Sequence, residues 1–366
     1  MNLEFQYPLW AWVVFFASVL IALGVDLGIA NRKSHAPTRR ETFIWSSVWI
    51  SLALAFNAFI YWLVSNYVDY REIGTNEWLK ANSTQGLLKA KEFFTGYLIE
   101  LSLSVDNLFV FLLIFGYFKV PKKYQHRVLF WGIMGALVMR MIMIFTGAEL
   151  VERFHWILYV FGVFLIWTGI KMFSDNEEGF HPEESKMVAF ITRYIRISKH
   201  YDGNNFLIKI DGKTTGTLLL LVLIVVELSD LMFAVDSIPA IFGITTDKFI
   251  VYTSNIFAIL GLRTFFFLLA DLADRFHFLK YGLAFILTFI GVKMLLPLLA
   301  EGLIMVVGHN NDSAFSNFLQ RFINHEFNQS FINISLGVVV SALALSIILS
   351  LLFPKKEEEA EDAPTE

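Results

Sequence analysis

Glu100-Leu-Ser-Leu-Ser-Val-Asp106-Asn107 lies inside an apolar run from about Phe93 to Tyr117. Glu227-Leu-Ser-Asp230-Leu-Met-Phe-Ala-Val-Asp236-Ser237 lies inside a second, from about Thr217 to Phe242. Setting Val105-Asp106-Asn107 against Val235-Asp236-Ser237 places Glu100 opposite Asp230. Each stretch then reads as an acid, five intervening residues and an aspartate, within hydrophobicity of membrane grade. Ionised side chains at that depth cost ~2.5–3.5 kcal/mol each on insertion scales and mark functional sites by default.

The likeness extends outward from the acids. Arg140 sits in mid-run in Leu137-Val-Met-Arg140-Met-Ile, and Arg263 in Leu260-Gly-Leu-Arg263-Thr-Phe. Glu152-Arg153-Phe154-His155 answers Asp274-Arg275-Phe276-His277. Sixteen residues beyond each histidine come Gly169-Ile-Lys171-Met172 and Gly291-Val-Lys293-Met294 counterparts, with Lys171 and Lys293 in register. Matches in one order at nearly constant spacing imply an internal duplication. A unit of three spans inserts its second copy upside down, and inverted repeats of this kind carry a substrate site near the midplane of transporters.

Composition agrees. Hydrophobic residues make up 56% of the 366, charged residues 17%, and mean hydropathy is +0.58. That is the profile of a polytopic membrane protein. Runs long enough to cross a ~30 Å hydrocarbon core as helices fall near 9–30, 43–66, 93–117, 128–150, 156–173, 215–242, 249–270, 278–299 and 332–353. The expected fold is therefore an all-α membrane protein of about nine transmembrane helices with two inverted three-helix repeats. The chain divides into an N-terminal two-helix unit and loop (1–92), repeat A (93–173), a cytosolic insert (174–214), repeat B (215–299), an extracytoplasmic connection and last helix (300–353), and an acidic tail (354–366). The insert holds a hairpin turn signal at Asp211-Gly212.

Lys and Arg cluster after spans one, three, five, seven and nine, which puts the N-terminus outside and the C-terminus in the cytoplasm of a bacterial inner membrane. Arg71, Lys80, Lys89 and Lys91, in the 67–92 loop, are the exceptions. Met1-Asn-Leu-Glu-Phe-Gln-Tyr7 has no basic n-region, so the first run is expected to be a span and not a cleaved signal. A net charge of −4 with no basic stripe gives no reason for a nucleic-acid partner, and zero cysteines exclude protein-thiol redox chemistry.

Helix geometry sorts the candidate residues. At 100° per residue, Glu100, Ser104 and Asn107 share one face, as do Glu227, Asp230 and Ser237. Asp106 and Asp236 lie about 120° from their upstream partners and converge with them only if the helix is kinked or unwound. Pro239 could supply that in the second copy; no proline or glycine is near in the first. Carboxylates with amide and hydroxyl oxygens form a hard donor set suited to Mg²⁺, Ca²⁺ or Mn²⁺. Glu100, Asp106, Asn107, Glu227, Asp230, Asp236 and Ser237 are accordingly the candidate metal residues. Met232 would add a soft ligand or pack in the core. Arg140 and Arg263 read as counter-charges, and Asp26 in span one as a supporting residue. The other reading makes the acids a structural ion-pair network with the two arginines. His155 and His277 at span boundaries read as interfacial anchors, and Lys171 and Lys293 as snorkelling side chains. No nucleophile elbow, phosphate loop, HExxH or dinucleotide fingerprint is present, so an enzyme is not expected and no bound cofactor is implied.

The sequence resembles the TerC family of integral membrane proteins, and its Alx branch in particular. The resemblance runs from Val25-Asp26-Leu-Gly28 through Leu103-Ser-Val-Asp106-Asn-Leu-Phe-Val-Phe111 and Pro121-x4-His126-Arg127-Val-Leu-Phe-Trp-Gly132. It continues in Val235-Asp236-Ser-Ile-Pro239-Ala-Ile241 and Ser254-Asn255-x-Phe257-Ala-Ile-Leu-Gly-Leu-Arg263. It implies a transporter-like fold related to the LysE group of exporters, and a role in manganese export. Older labels of the family add tellurium resistance and redox modulation. The expectation is a transporter whose partners are the lipid bilayer and a Mn²⁺-like cation carried as substrate. The alternatives are a membrane scaffold or assembly factor with structural acids, or a redox-modulating membrane protein. Nothing in the sequence bears on oligomerisation.

Overall fold

The structure, a computed structural model, describes residues 3–28, 39–72, 77–154, 156–174, 196–198, 200–210, 213–262, 264–266, 278–307 and 325–353. The described residues include helices α1 (Leu9–Gly28), α2 (Arg39–Tyr67), α3 (Ser83–Tyr117), α4 (Lys122–Arg153) and α5 (Ile157–Ser174). They continue with α6 (Leu218–Phe242), α7 (Lys248–Ile259), α8 (Leu279–Val307) and α9 (His325–Leu352). Each overlaps one of the apolar runs. By length and composition α2, α4, α6, α8 and α9 can cross a membrane, while α1, α5 and α7 hold shorter apolar stretches.

Two boundaries differ from the hydropathy reading for identifiable reasons. Helix α3 starts ten residues before its apolar run, because Asn82 caps it. The Asn82 side chain accepts from Thr84 N at 2.8 Å, and the Gln85 side chain accepts from Asn82 N at 3.2 Å. That reciprocal capping box nucleates a helix which hydropathy does not register. At 35 residues, or about 52 Å, α3 is longer than a bilayer core of ~30 Å is thick, and Lys89 and Glu92 lie in the part that precedes its apolar run. The run 249–270, expected as one span, is interrupted. Helix α7 ends at Ile259, Leu260 is extended, and Gly261 has φ +88°. A Cβ at Gly261 would lie 2.5–2.6 Å from Trp49 ring atoms, so both the left-handed backbone and the close approach require glycine there. Conversely, α3 is continuous through Asp106, and α6 is continuous through Asp236 and Pro239. Gly261 thus interrupts the 249–270 run, whereas Pro239 lies within the unbroken helix α6.

The fold is not purely helical. β1 (Leu3–Gln6), β2 (Asp69–Glu72) and β3 (Leu79–Lys80) form an antiparallel sheet in that order. β4 (Leu207–Ile210) and β5 (Lys213–Gly216) pair as a hairpin, with Ile210 opposite Lys213. The Asp211-Gly212 turn itself lies outside the described residues. The hairpin was legible from its turn dipeptide; the first sheet joins segments more than sixty residues apart and had no local signal.

Contacts between connections fall into two groups. Residues 3–6 pair with 69–72, Tyr7 reaches Asp247, Lys89 reaches Asp247, Lys248 pairs with Glu152, and Lys91 donates to Asn333. At the other end Tyr201 donates to Phe118 O at 2.7 Å, and Phe278 N donates to Ser350. The first group joins the N-terminal segment and the connections after even-numbered helices, and the second joins those after odd-numbered helices, which is the division that successive crossings would produce.

The pairing of helices also has an order. Among helices α3 to α8, the most extensive packing joins α5 to α8, α3 to α7 and α4 to α6. Exchanging α3, α4 and α5 for α6, α7 and α8 turns the α3–α7 pair into α6–α4 and returns α5–α8 to itself. At the α5–α8 crossing, a Cβ on Gly162 would meet Gly291 O at 3.0 Å, and a Cβ on Gly169 would meet Ala284 O at 2.7 Å. In the sequence register Gly169 corresponds to Gly291 and Gly162 to Ala284, so these two contacts exchange with one another. Small residues bring the two backbones together here, as is usual between membrane helices.

Candidate functional site

The core site is assembled on α3, α4, α6 and α7. Arg140 projects from the middle of α4 and is 1% exposed. Its Nη1 pairs with Glu100 Oε1 of α3. Its Nη2 and Nε reach Asp230 Oδ1 and Oδ2 of α6 at 3.3 and 3.5 Å. Nη1 also approaches Ser237 Oγ at 3.4 Å and Asn255 Oδ1 of α7 at 3.5 Å. Asn255 Nδ2 donates to Glu100 Oε2 at 3.1 Å, and Ser104 Oγ to Glu100 Oε1 at 3.4 Å. A guanidinium offers five donors in a planar fork, and here it serves partners from three other helices. The two acids it joins, Glu100 and Asp230, are the residues that occupy equivalent places in the two acidic motifs.

The remaining candidates distribute as follows. Glu227, one turn before Asp230, is half-buried and lies against α4 at Gly135, where any Cβ would overlap its carboxylate. Asn107 is 5% exposed, and its Nδ2 has no hydrogen-bond partner among the described residues. Asp106 and Asp236 stand on the continuous helices α3 and α6, Asp26 on α1; their side chains, with all of Arg263, His155 and His277, lie outside what the structure describes. Among the described residues, no three His, Asp or Glu side chains converge to hold a metal ion. Met232 is 55% exposed, on the outer surface of α6 and away from Arg140. Asn255 was missed by the acid-centred reading. Its signal was available: an amide in a fully buried stretch of α7, next to Ser254.

A second ionic cluster, also unanticipated, lies at the start of α3. Lys89 Nζ sits 2.8 Å from Glu92 Oε2 and 3.1 Å from Asp247 Oδ2, with the side chains only 5–7% exposed. Thr245 Oγ1 donates to Glu92 at 2.6 Å, and the Tyr7 hydroxyl donates to Asp247 at 2.8 Å. Asp247 also caps α7 by accepting from Phe249 N and Ile250 N. The Phe5 ring lies 4.1 Å from the Lys89 ammonium. Burial opposes the Lys89 charge, but Asp247 and Glu92 outweigh it and hold the ammonium above its ordinary pKa. Burial, and after it the Asp247 carboxylate, hold the Tyr7 phenol well above its own. Lys89 is thus no free loop charge, and Arg71 is likewise engaged by Glu4 at 2.6 Å. Two of the four exceptions to the charge-based topology are therefore neutralised in place. Lys293, expected to snorkel, instead turns inward and donates to Gly243 O at 3.1 Å. Its counterpart Lys171 is exposed beside the Trp167 ring.

Residues 86–358 match the family described as Integral membrane protein TerC family. The chain is 48% identical over 286 residues to a protein of Escherichia coli (strain K12) with the provisional name membrane-bound redox modulator Alx, covering 78% of this chain and 85% of that one. An uncharacterized membrane protein of Myxococcus xanthus is 47% identical over 77% of this chain and 82% of its own. Another, of Rickettsia bellii, is 39% identical over 78% and 87%. No solved structure shows significant similarity. With its multi-pass apolar helices and a match over most of its length, the chain belongs to the TerC family of integral membrane proteins.

Proposed function

We propose that this protein is an inner-membrane exporter of Mn²⁺ or a similar divalent cation, working by alternating access between two inverted three-helix repeats. The observation that carries the reading is the meeting of Glu100 and Asp230, equivalent acids of the two repeats, on one buried guanidinium. Carboxylates this deep must pair, protonate or bind a cation, and Arg140 plays the part of the cation between transport events. An incoming dication, gathered by Glu100, Asp106, Asp230 and Asp236 with Asn107, Ser237 and Glu227 in support, would displace that guanidinium. Arg140 and Arg263 then act as counter-charges to the empty site. The exchanging contacts at the α5–α8 crossing support the repeat, and the grouping of connections supports nine crossings. The distribution of Lys and Arg supports an outside N-terminus and a cytoplasmic C-terminus.

Energetics constrain the mechanism. Moving a dication outward against an inside-negative potential costs ~4.6 kcal/mol at 100 mV, so export needs a driving ion. Protons entering through the same carboxylates would restore neutrality on the return step. The sequence holds no phosphate loop to supply nucleotide energy.

The test is manganese efflux from loaded cells carrying the wild type, Asp106→Asn or Asp236→Asn, with membrane levels matched. Loss of efflux in both at equal protein level is expected. Normal efflux in either would overturn the reading. The Arg140 ion pairs also favour a second reading, in which the acids only hold helices together; it expects a fall in protein level without a change in efflux per molecule. The redox-modulator name of the relatives fits a metal exporter whose effect on redox state is indirect, given a chain with no cysteine.

A further inference from the structure

Helices α3 and α7 run side by side, and their polar residues keep step. Glu92 and Asp247 meet at Lys89; eight residues on along both helices, Glu100 and Asn255 meet directly at 3.1 Å. Eight residues rise about 12 Å on each helix, so one seam connects the two ionic clusters. Midway, Gly96 faces α7. A Cβ there would stand 3.0 Å from Ser254 Oγ and 2.9 Å from Ile241 Cδ1, so the seam is narrow and leaves no room for a side chain at that position. Ser254 is fully buried.

The outer end of this seam is closed by a charge that stability does not call for. A buried ion pair is seldom better than packed apolar side chains of the same volume. Here an ammonium and two carboxylates occupy a place that packed apolar side chains would fill if the need were purely structural. The cluster also ties together parts that must separate if the seam is to open. Tyr7 and Phe5 come from the N-terminal segment, Lys89 and Glu92 from α3, and Thr245 and Asp247 from the α6–α7 connection. Lys293 of α8 holds the same connection at Gly243 O.

We propose that the α3–α7 seam is the release route from the core site and that Lys89, held between Glu92 and Asp247, is the tethered cation that closes its outer end. The proposal rests on the export reading for its direction. The ammonium takes the place between the carboxylates that a leaving cation must pass, so the route opens only when Lys89 swings away. The outgoing ion itself favours that movement by competing for Glu92 and Asp247.

A chain without cysteine allows a direct test. Ser254→Cys places a single thiol in the seam, and its labelling by a membrane-impermeant maleimide on whole cells reads opening without any transport measurement. Adding Lys89→Gln should raise the labelling rate about tenfold, as a closed population loses the pair that favours it, while Lys89→Arg should leave it near the parent rate. Glu92→Gln, made in parallel, removes a partner instead of the cation and should act in the same direction; it decides the matter if Lys89→Gln does not reach the membrane. Unchanged labelling in Lys89→Gln and Glu92→Gln would overturn the proposal, as would an equal rise with Lys89→Arg. Labelling confined to inside-out vesicles would also overturn it. Because the readout is accessibility, a seam that opens in a protein that does not move manganese would refute the export reading and leave the gate standing.

Discussion

The two buried ionic clusters share one plan and differ in the cation. Each sets one basic side chain between two carboxylates from different segments. Besides its close pair with Glu100, Arg140 spreads four contacts at 3.3–3.5 Å over three residues, Asp230, Ser237 and Asn255. Lys89 makes two short contacts, at 2.8 and 3.1 Å. A guanidinium is planar, always charged and rich in donors, whereas an ammonium is a compact point charge on a flexible stem. The two cations therefore mark different kinds of movement. Arg140 suits a site whose surrounding helices shift, since its many donors can trade partners without losing all of them. Lys89 suits a plug that is either in place or out of it.

The largest test of that contrast is Arg140→Met. It strands Glu100 and Asp230 in the protein interior, and removing one partner of a buried pair typically costs ~3–5 kcal/mol. A marked loss of thermal stability of the detergent-solubilised protein is expected, with partial recovery when Glu100→Gln and Asp230→Asn are added. Stability equal to wild type would mean the acids are already neutral there. Next comes Asn255→Leu, which removes the amide donor to Glu100 Oε2; ~1–3 kcal/mol is expected for a buried acceptor left unsatisfied, read as a lower melting temperature. Tyr7→Phe removes one donor to Asp247 in the outer cluster and should cost about 1 kcal/mol. A larger effect than that of Asn255→Leu would reverse the ranking of the two sites.

The smallest effect is one of pH, and it concerns the outer cluster. Lys89 and Tyr7 both have pKa values raised in the folded protein. Their contribution is therefore complete below their ordinary values of about 10 and is lost as pH climbs through the raised ones. Melting temperature should be insensitive to these groups between pH 7 and about 10 and fall beyond it, less steeply in a Lys89→Met, Tyr7→Phe variant. An equal slope in that variant would place the alkaline loss elsewhere.

Much of the molecule was legible in one dimension because the bilayer makes local demands. A segment that crosses it must be apolar for some twenty residues, so runs of hydropathy locate helices without knowledge of their neighbours. The same demand makes Glu100, Asp230 and Arg140 conspicuous, since a charge there is an exception that needs a partner. The matched spacing of the two acidic stretches, too, is visible in the sequence alone. The partners themselves could not. Nothing near Arg140 in the chain says that its guanidinium lies between α3 and α6, or that Asn255 completes the set. Lys89 read as a stray loop charge until Asp247, more than 150 residues away, was seen beside it. Residues 3–6 and 69–72 make one sheet by backbone hydrogen bonds between strands that alternate too briefly to announce themselves. Periodicity and hydropathy are properties of neighbours along the chain, and they determined the membrane class, the approximate helices and the list of costly charges. Which charge neutralises which, where α7 breaks, and how the two halves meet were decided only by packing in three dimensions, because those energies belong to contacts between distant segments.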